Sequence, residues 1–154
     1  MIIHLPTDQV NEVNLMDLTS CPHILRDMGA TNDVLLSFDI TRSVKVCRVG
    51  SYHVILSERA KLIGSALDQV PADVRPEVNP QILEWYDTTF EEGVFLLACF
   101  GGNEEIDAEP FGVWYEPWYE RTLSVPCIDA HDGSPPKLGE MVDRDHRIYV
   151  GDTS

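Results

Sequence analysis

Val94 to Phe100 is seven apolar residues without a break, closed on one side by Gly93 and on the other by Gly101-Gly102. A helix that buries one side shows apolar residues at intervals and needs a longer stretch. A short unbroken run between glycines reads instead as a strand buried on both faces. Such a strand belongs in the middle of a sheet, with cover above and below, so the rest of the chain is read for what supplies that cover.

Ile2 to Leu5 is apolar enough for a short first strand. Thr7 is placed to cap a helix reaching Asp17, with Val10, Val13 and Leu15 turned inward. Ser20 caps a second helix, with Pro22 in its first turn, Ile24, Leu25 and Met28 packing, and Gly29 ending it. Val34 to Thr41 alternates apolar and polar residues as a half-buried strand does. Val44 to Val49 and Tyr52 to Leu56, parted by Gly50-Ser51, read as a β-hairpin, and the three strands as an antiparallel meander. Ser57 opens a helix from Glu58 to Gln69 with Ala60, Ile63 and Leu67 on its inner side. Asn79-Pro80 opens another: Asn caps, Pro fits the first turn, Ile82, Leu83, Trp85, Tyr86 and Phe90 give an apolar side, and Gly93 ends it. Phe111 to Glu116 and Trp118 to Val125 read as strands interrupted at Pro117, which implies an edge or a bulge. Cys127 to Pro136 reads as loop and Arg147 to Val150 as a last short strand. The expected class is α+β: an antiparallel or mixed sheet of about five to seven strands with three or four short helices. A chain of 154 residues is long enough to bury a core without disulfides or metals, and a single domain over 1–154 is expected.

Charge is the second constraint. Between Arg75 and Arg121 there is no Lys or Arg, while those 45 residues hold eleven of the 26 acids and ten of the thirteen aromatics. The net charge of −15 is lopsided: residues 1–76 carry nine acids against seven cations, residues 77–154 seventeen against four. A field of this sign repels phosphate backbones and anionic lipid, which argues against direct nucleic-acid binding and against a membrane surface. It speeds encounter with a basic protein. Salt adaptation is a competing source of acidity, and fourteen Asp against three Lys fits it. A salt-adapted surface is acidic all over, however, and the first half of this chain is not.

The most unusual string is Trp114-Tyr115-Glu116-Pro117-Trp118-Tyr119-Glu120. As a strand it places Trp114, Glu116, Trp118 and Glu120 on one face and Tyr115 and Tyr119 on the other. Large rings on both faces imply that one pair is partly exposed, and exposed aromatics are interface anchors. Just before it runs the acidic loop Glu104-Glu105-Ile106-Asp107-Ala108-Glu109, which lacks the ligand alternation and central glycine of a calcium loop. Glu104, Glu105, Asp107, Glu109, Trp114, Tyr115, Glu116, Trp118, Tyr119 and Glu120 are therefore the candidate partner-binding residues.

Catalytic signals are thin. Cys127, Asp129, His131 and Asp132, with Asp143, Asp145 and His146 further on, are weak candidates for a metal, and a metal-dependent enzyme using Asp129, His131, Asp132 and His146 is the alternative function. No second pair completes a zinc-ligand spacing. Cys21-Pro22-His23 with His53 has a thiol and imidazoles but no orienting third residue. Nucleotide-binding and nucleophile-elbow motifs are missing from the sequence, so no catalytic residue and no cofactor is assigned. The four cysteines, Cys21, Cys47, Cys99 and Cys127, stand singly and read as reduced thiols. With no charged apolar leader and no run long enough to span a bilayer, a cytoplasmic location is expected. Arg42, Lys45 and Arg48 make the hairpin mildly basic, a pole that meets the acidic pole of a second copy if the protein is a homodimer.

In size and composition the chain is similar to phage or mobile-element inhibitors of host defence, such as anti-restriction and anti-CRISPR proteins, and to acidic immunity proteins that neutralise basic nuclease toxins. The resemblance implies a small protein whose carboxylates stand in for phosphates and occlude a basic, nucleic-acid-handling partner. No motif residue is carried over from those proteins.

Overall fold

The computed structural model describes residues 2–20, 44–101, 110–119 and 133–140. Six strands lie among them: Ile2–Leu5 (β1), Leu15–Asp17 (β2), Lys45–Val49 (β3), Tyr52–Ser57 (β4), Val94–Cys99 (β5) and Phe111–Val113 (β6). The two α-helices are Ala60–Ala66 (α1) and Pro80–Thr89 (α2). The architecture is α+β. Instead of one sheet of five to seven strands with three or four helices, the described residues form two antiparallel sheets and two helices. One sheet has four strands in the order β1-β5-β4-β3, and the other pairs β2 with β6.

The seven-residue apolar run does what its composition demands. β5 lies between β1 and β4, and all six of its residues are buried. Its side chains alternate between two cores. Phe95, Leu97 and Cys99 join Ile55 and the inner sides of α1 and α2: Ala60, Ile63, Ala66, Ile82, Leu83 and Tyr86. Val94, Leu96 and Ala98 join Leu5, Val10, Tyr52, Val54 and Leu56 on the opposite face, where Leu15, Phe111 and Val113 of the small sheet close over them. The molecule is therefore three layers deep around β5: helices, four-stranded sheet, two-stranded sheet.

The hairpin β3–β4 forms with the expected loop, and Gly50 takes φ +54, a positive dihedral of the kind two-residue hairpin loops require. Asn79 accepts a hydrogen bond from the Gln81 N–H at 2.9 Å, with Pro80 opening α2. That helix ends at Thr89, four residues before Gly93. Ser57 remains in β4. Its hydroxyl donates to the Arg59 carbonyl at 2.8 Å, and α1 starts without a side-chain cap.

The helix expected from Thr7 to Asp17 is not formed. Asn11 and Asn14 compete for the backbone: the Val13 N–H donates to Asn11 Oδ1 and the Asn11 N–H to Asn14 Oδ1, each at 2.9 Å. This reciprocal cap closes a single 3-10 turn, Glu12–Asn14, and the chain leaves it as β2. The expected elements at residues 20–29, 34–41 and 147–150 lie outside the described residues, apart from Ser20 itself.

Asp87 ties the two helices together. Arg59 grips its carboxylate with two parallel bonds, Nε to Oδ1 at 2.8 Å and a terminal nitrogen to Oδ2 at 2.5 Å, and Lys61 lies 3.5 Å from Oδ2. The Arg59 hydrogen bonds hold the carboxyl below its ordinary value, against burial, which pushes it up. Because the folded value is depressed, the stability Asp87 contributes is present in full above the ordinary aspartate range. It is lost as pH falls through the folded value. Asp87→Asn is expected to cost about 1–2 kcal/mol at neutral pH, less than a fully buried pair because Arg59 is partly exposed. The same change flattens the acid limb of stability, as urea melts of both proteins between neutral pH and the acid transition will show.

Candidate functional site

The segment from Pro110 to Tyr119 is pinned along its length. The Leu18 N–H donates to the Pro110 carbonyl at 3.3 Å, the Trp114 N–H to the Asn14 carbonyl at 3.1 Å, and the Trp118 N–H to the Pro6 carbonyl at 3.0 Å. Asn14, itself buried, adds a bond from Nδ2 to the Trp114 carbonyl at 3.2 Å. Anchors at four-residue intervals run the segment along one face of the large sheet. Phe111 meets the ring of Tyr52 at 4.8 Å between centroids, near one end of β4. Trp118 lies against the end of β1.

Alternation then sorts the side chains. Phe111, Val113 and Tyr115 pack into the second core, and burial pushes the Tyr115 hydroxyl up from its ordinary pKa. Glu116 and Trp118 fall on the outer side and are exposed, Trp118 at 39%. Tyr119 follows at 64%, and Trp114 is half-buried. The strand expected through Glu116 stops at Val113; Tyr115 still turns inward and Glu116 outward, but Tyr119, expected on the Tyr115 face, is exposed beside Trp118 because the chain bends there.

Two further apolar residues are exposed, one of which, Val13, is expected from the sequence to turn inward. Val13 is 49% and Met16 38% exposed, because the turn at Asn11 replaces a helix that would have buried Val13. Met16 pairs with Gly112 across the small sheet, and its side chain, with that of Leu18, lies over the glycine. Hydrogen bonds from the Thr19 hydroxyl and N–H hold the Asp17 carboxyl below its ordinary value. Lys45 pairs with Glu12 at 2.9 Å. A signal for this turn was present in the sequence as Asn11-x-x-Asn14, an arrangement in which each amide caps the other's end of a short turn.

The ten aromatics of the cation-free stretch do not converge. Trp85, Tyr86, Phe90 and Phe95 cluster beneath α2 together with His4, which stacks on Phe90 at 4.2 Å. Burial pushes the Tyr86 hydroxyl up to about 12. Glu77, Glu84, Glu91 and Glu92 are exposed on and around α2. Glu77, Glu84 and Glu91 therefore lie on the helix side of the large sheet, and the idea of one acidic and aromatic side is corrected for these three; Glu92 meets the end of β1 through the His4 ring, near Pro6, to which Trp118 is bonded. Glu104, Glu105, Asp107, Glu109 and Glu120 lie outside the described residues.

The metal candidates Asp129, His131, Asp132 and His146 also lie outside them, as do Cys21, His23 and Cys127. Among the described residues no group of three or more His, Cys, Asp or Glu is placed to hold a metal ion. His53 and Cys99 face each other in register on the helix-covered side. Burial raises the Cys99 thiol above its ordinary value, which disfavours a thiolate. The basic pole proposed for self-association is engaged within the chain: Lys45 holds Glu12 and Arg48 Nε donates to the Gly50 carbonyl at 3.2 Å. Arg42 lies outside the described residues. Among those residues no helix is long and apolar enough to cross a membrane. The chain matches no family model, no curated protein and no solved structure.

Proposed function

We propose that this protein is a small acidic binding protein that docks on a basic, nucleic-acid-handling protein and occludes it. The observation that carries the proposal is the exposure of Trp118 and Tyr119, two large rings on a segment whose backbone is held at three points, in a chain of net charge −15. Adjacent large rings exposed on a rigid support are the usual anchors of a contact surface. The charge selects a cationic partner over an anionic one and accelerates encounter. A second copy of the same chain is a poor occupant, since it brings the same net charge to the contact.

Inhibition follows from occupancy: a partner that uses cations to hold phosphate loses them to carboxylates. The acids Glu104, Glu105, Asp107, Glu109 and Glu120 are assigned to this role by sequence. Reversing Glu104, Glu105, Asp107 and Glu109 to Lys is expected to weaken the complex about 10-fold or more at low salt and to flatten its salt dependence. Capture of the partner from host lysate, followed by titration of the purified pair at several salt concentrations, measures both. A nucleic-acid-binding assay on the partner then reports occlusion. Unchanged affinity and salt slope in the fourfold variant would remove these acids from the interface.

A further inference from the structure

We infer that the group this outer face takes from its partner is an arginine side chain, its guanidinium laid on the Trp118 ring and turned toward the Glu116 carboxylate; this rests on the docking function proposed above. Three features of the fold lead there. Glu116 and Trp118 are both exposed and only two residues apart, which puts a carboxylate and an indole within the span of one arginine side chain, with the more exposed Tyr119 ring next in the chain. Among the described residues no cation pairs with Glu116: Lys45 is held by Glu12, Arg59 and Lys61 by Asp87, and Arg75 by Asp68. The third is rigidity, because the Trp118 N–H is fixed to the Pro6 carbonyl and Pro117 restricts the backbone between the two groups.

Ring and carboxylate together favour guanidinium over ammonium. A planar guanidinium stacks on an indole and donates along its edge to a carboxylate at the same time, and it sheds water more easily than the compact lysine head. An apolar occupant would leave Glu116 desolvated and unpaired, which costs binding. A phosphate or an acidic segment would meet Glu116, in a chain of net charge −15, with like charge.

The test uses fluorescein-labelled nona-arginine and nona-lysine peptides, titrated by anisotropy against the full chain at moderate salt. Nona-arginine is expected to bind about 10-fold more tightly than nona-lysine, a preference that charge alone does not produce. Trp118→Ala is expected to bring the ratio close to one, Trp118→Phe to retain part of it, and Glu116→Gln to lower arginine-peptide affinity about threefold. Glu84→Gln with Glu91→Gln, on the helix side, leaves the ratio unchanged. Equal binding of the two peptides, or a preference that survives Trp118→Ala, overturns the inference. If the captured basic protein is still lost on mutating Trp118 and Tyr119 while the peptides show no preference, the docking function stands and the arginine assignment alone fails. If the peptides show the preference and no basic protein is captured, the reverse holds.

Discussion

Gly93→Ala is expected to destabilise the fold by about 3–5 kcal/mol, read as a lowered urea midpoint with an unchanged slope. Gly93 adopts φ +115, where residues with a side chain are strained whatever the space around them. The space is also closed. A Cβ there would lie 2.6 Å from the Leu5 carbonyl oxygen and would strike the His4 ring. That ring bonds through Nε2 to the Glu92 carbonyl at 2.8 Å and stacks on Phe90, so displacing it opens the junction between β1 and the end of α2. Adding His4→Ala relieves the ring contact but not the backbone one, and the double variant is expected to recover only part of the loss. A Gly93→Ala protein as stable as wild type would mean that β1 and the turn before β5 approach less closely than described.

The second large effect is on binding. Replacing both Trp118 and Tyr119 by Ala is expected to weaken partner binding about 100-fold or more while moving the urea midpoint little, because both side chains are exposed. Buried aromatics of the same stretch should behave the other way: truncating Phe95, fully enclosed between β4, β1 and α2, takes stability from the fold and affects binding only through it. Equilibrium titration and urea melts on the same preparations separate the two classes. If the double variant binds the partner like wild type, the exposed rings are not anchors.

Legibility in the sequence followed the kind of signal. β5 was readable because seven apolar residues admit few placements. The hairpin was readable because Gly50-Ser51 leaves only a two-residue loop, and α2 because Asn79-Pro80 is a start signal whose two halves agree. The Thr7–Asp17 segment was misread because Val10, Val13 and Leu15 mimic a helical face, while the competing information lay in the asparagine amides. Only the structure separates those three: Val10 is enclosed, Leu15 faces the second core, and Val13 is outside. At the candidate site, the inward turn of Tyr115 and the exposure of Glu116 were legible from strand periodicity, and the exposure of Tyr119, expected on the Tyr115 face, was not. Nor was the separation of the site from the α2 acids, because charge along a chain carries no record of which face of a sheet each segment crosses.

Hydrogen exchange of the complex against the free protein, with the basic partner captured from the host, tests the central claim most directly. Segment 111–119 is expected to gain protection, and 77–90 to exchange at its free rate. Protection confined to 77–90, with 111–119 unchanged, would place the partner on the helices and contradict a docking face built on Trp118 and Tyr119.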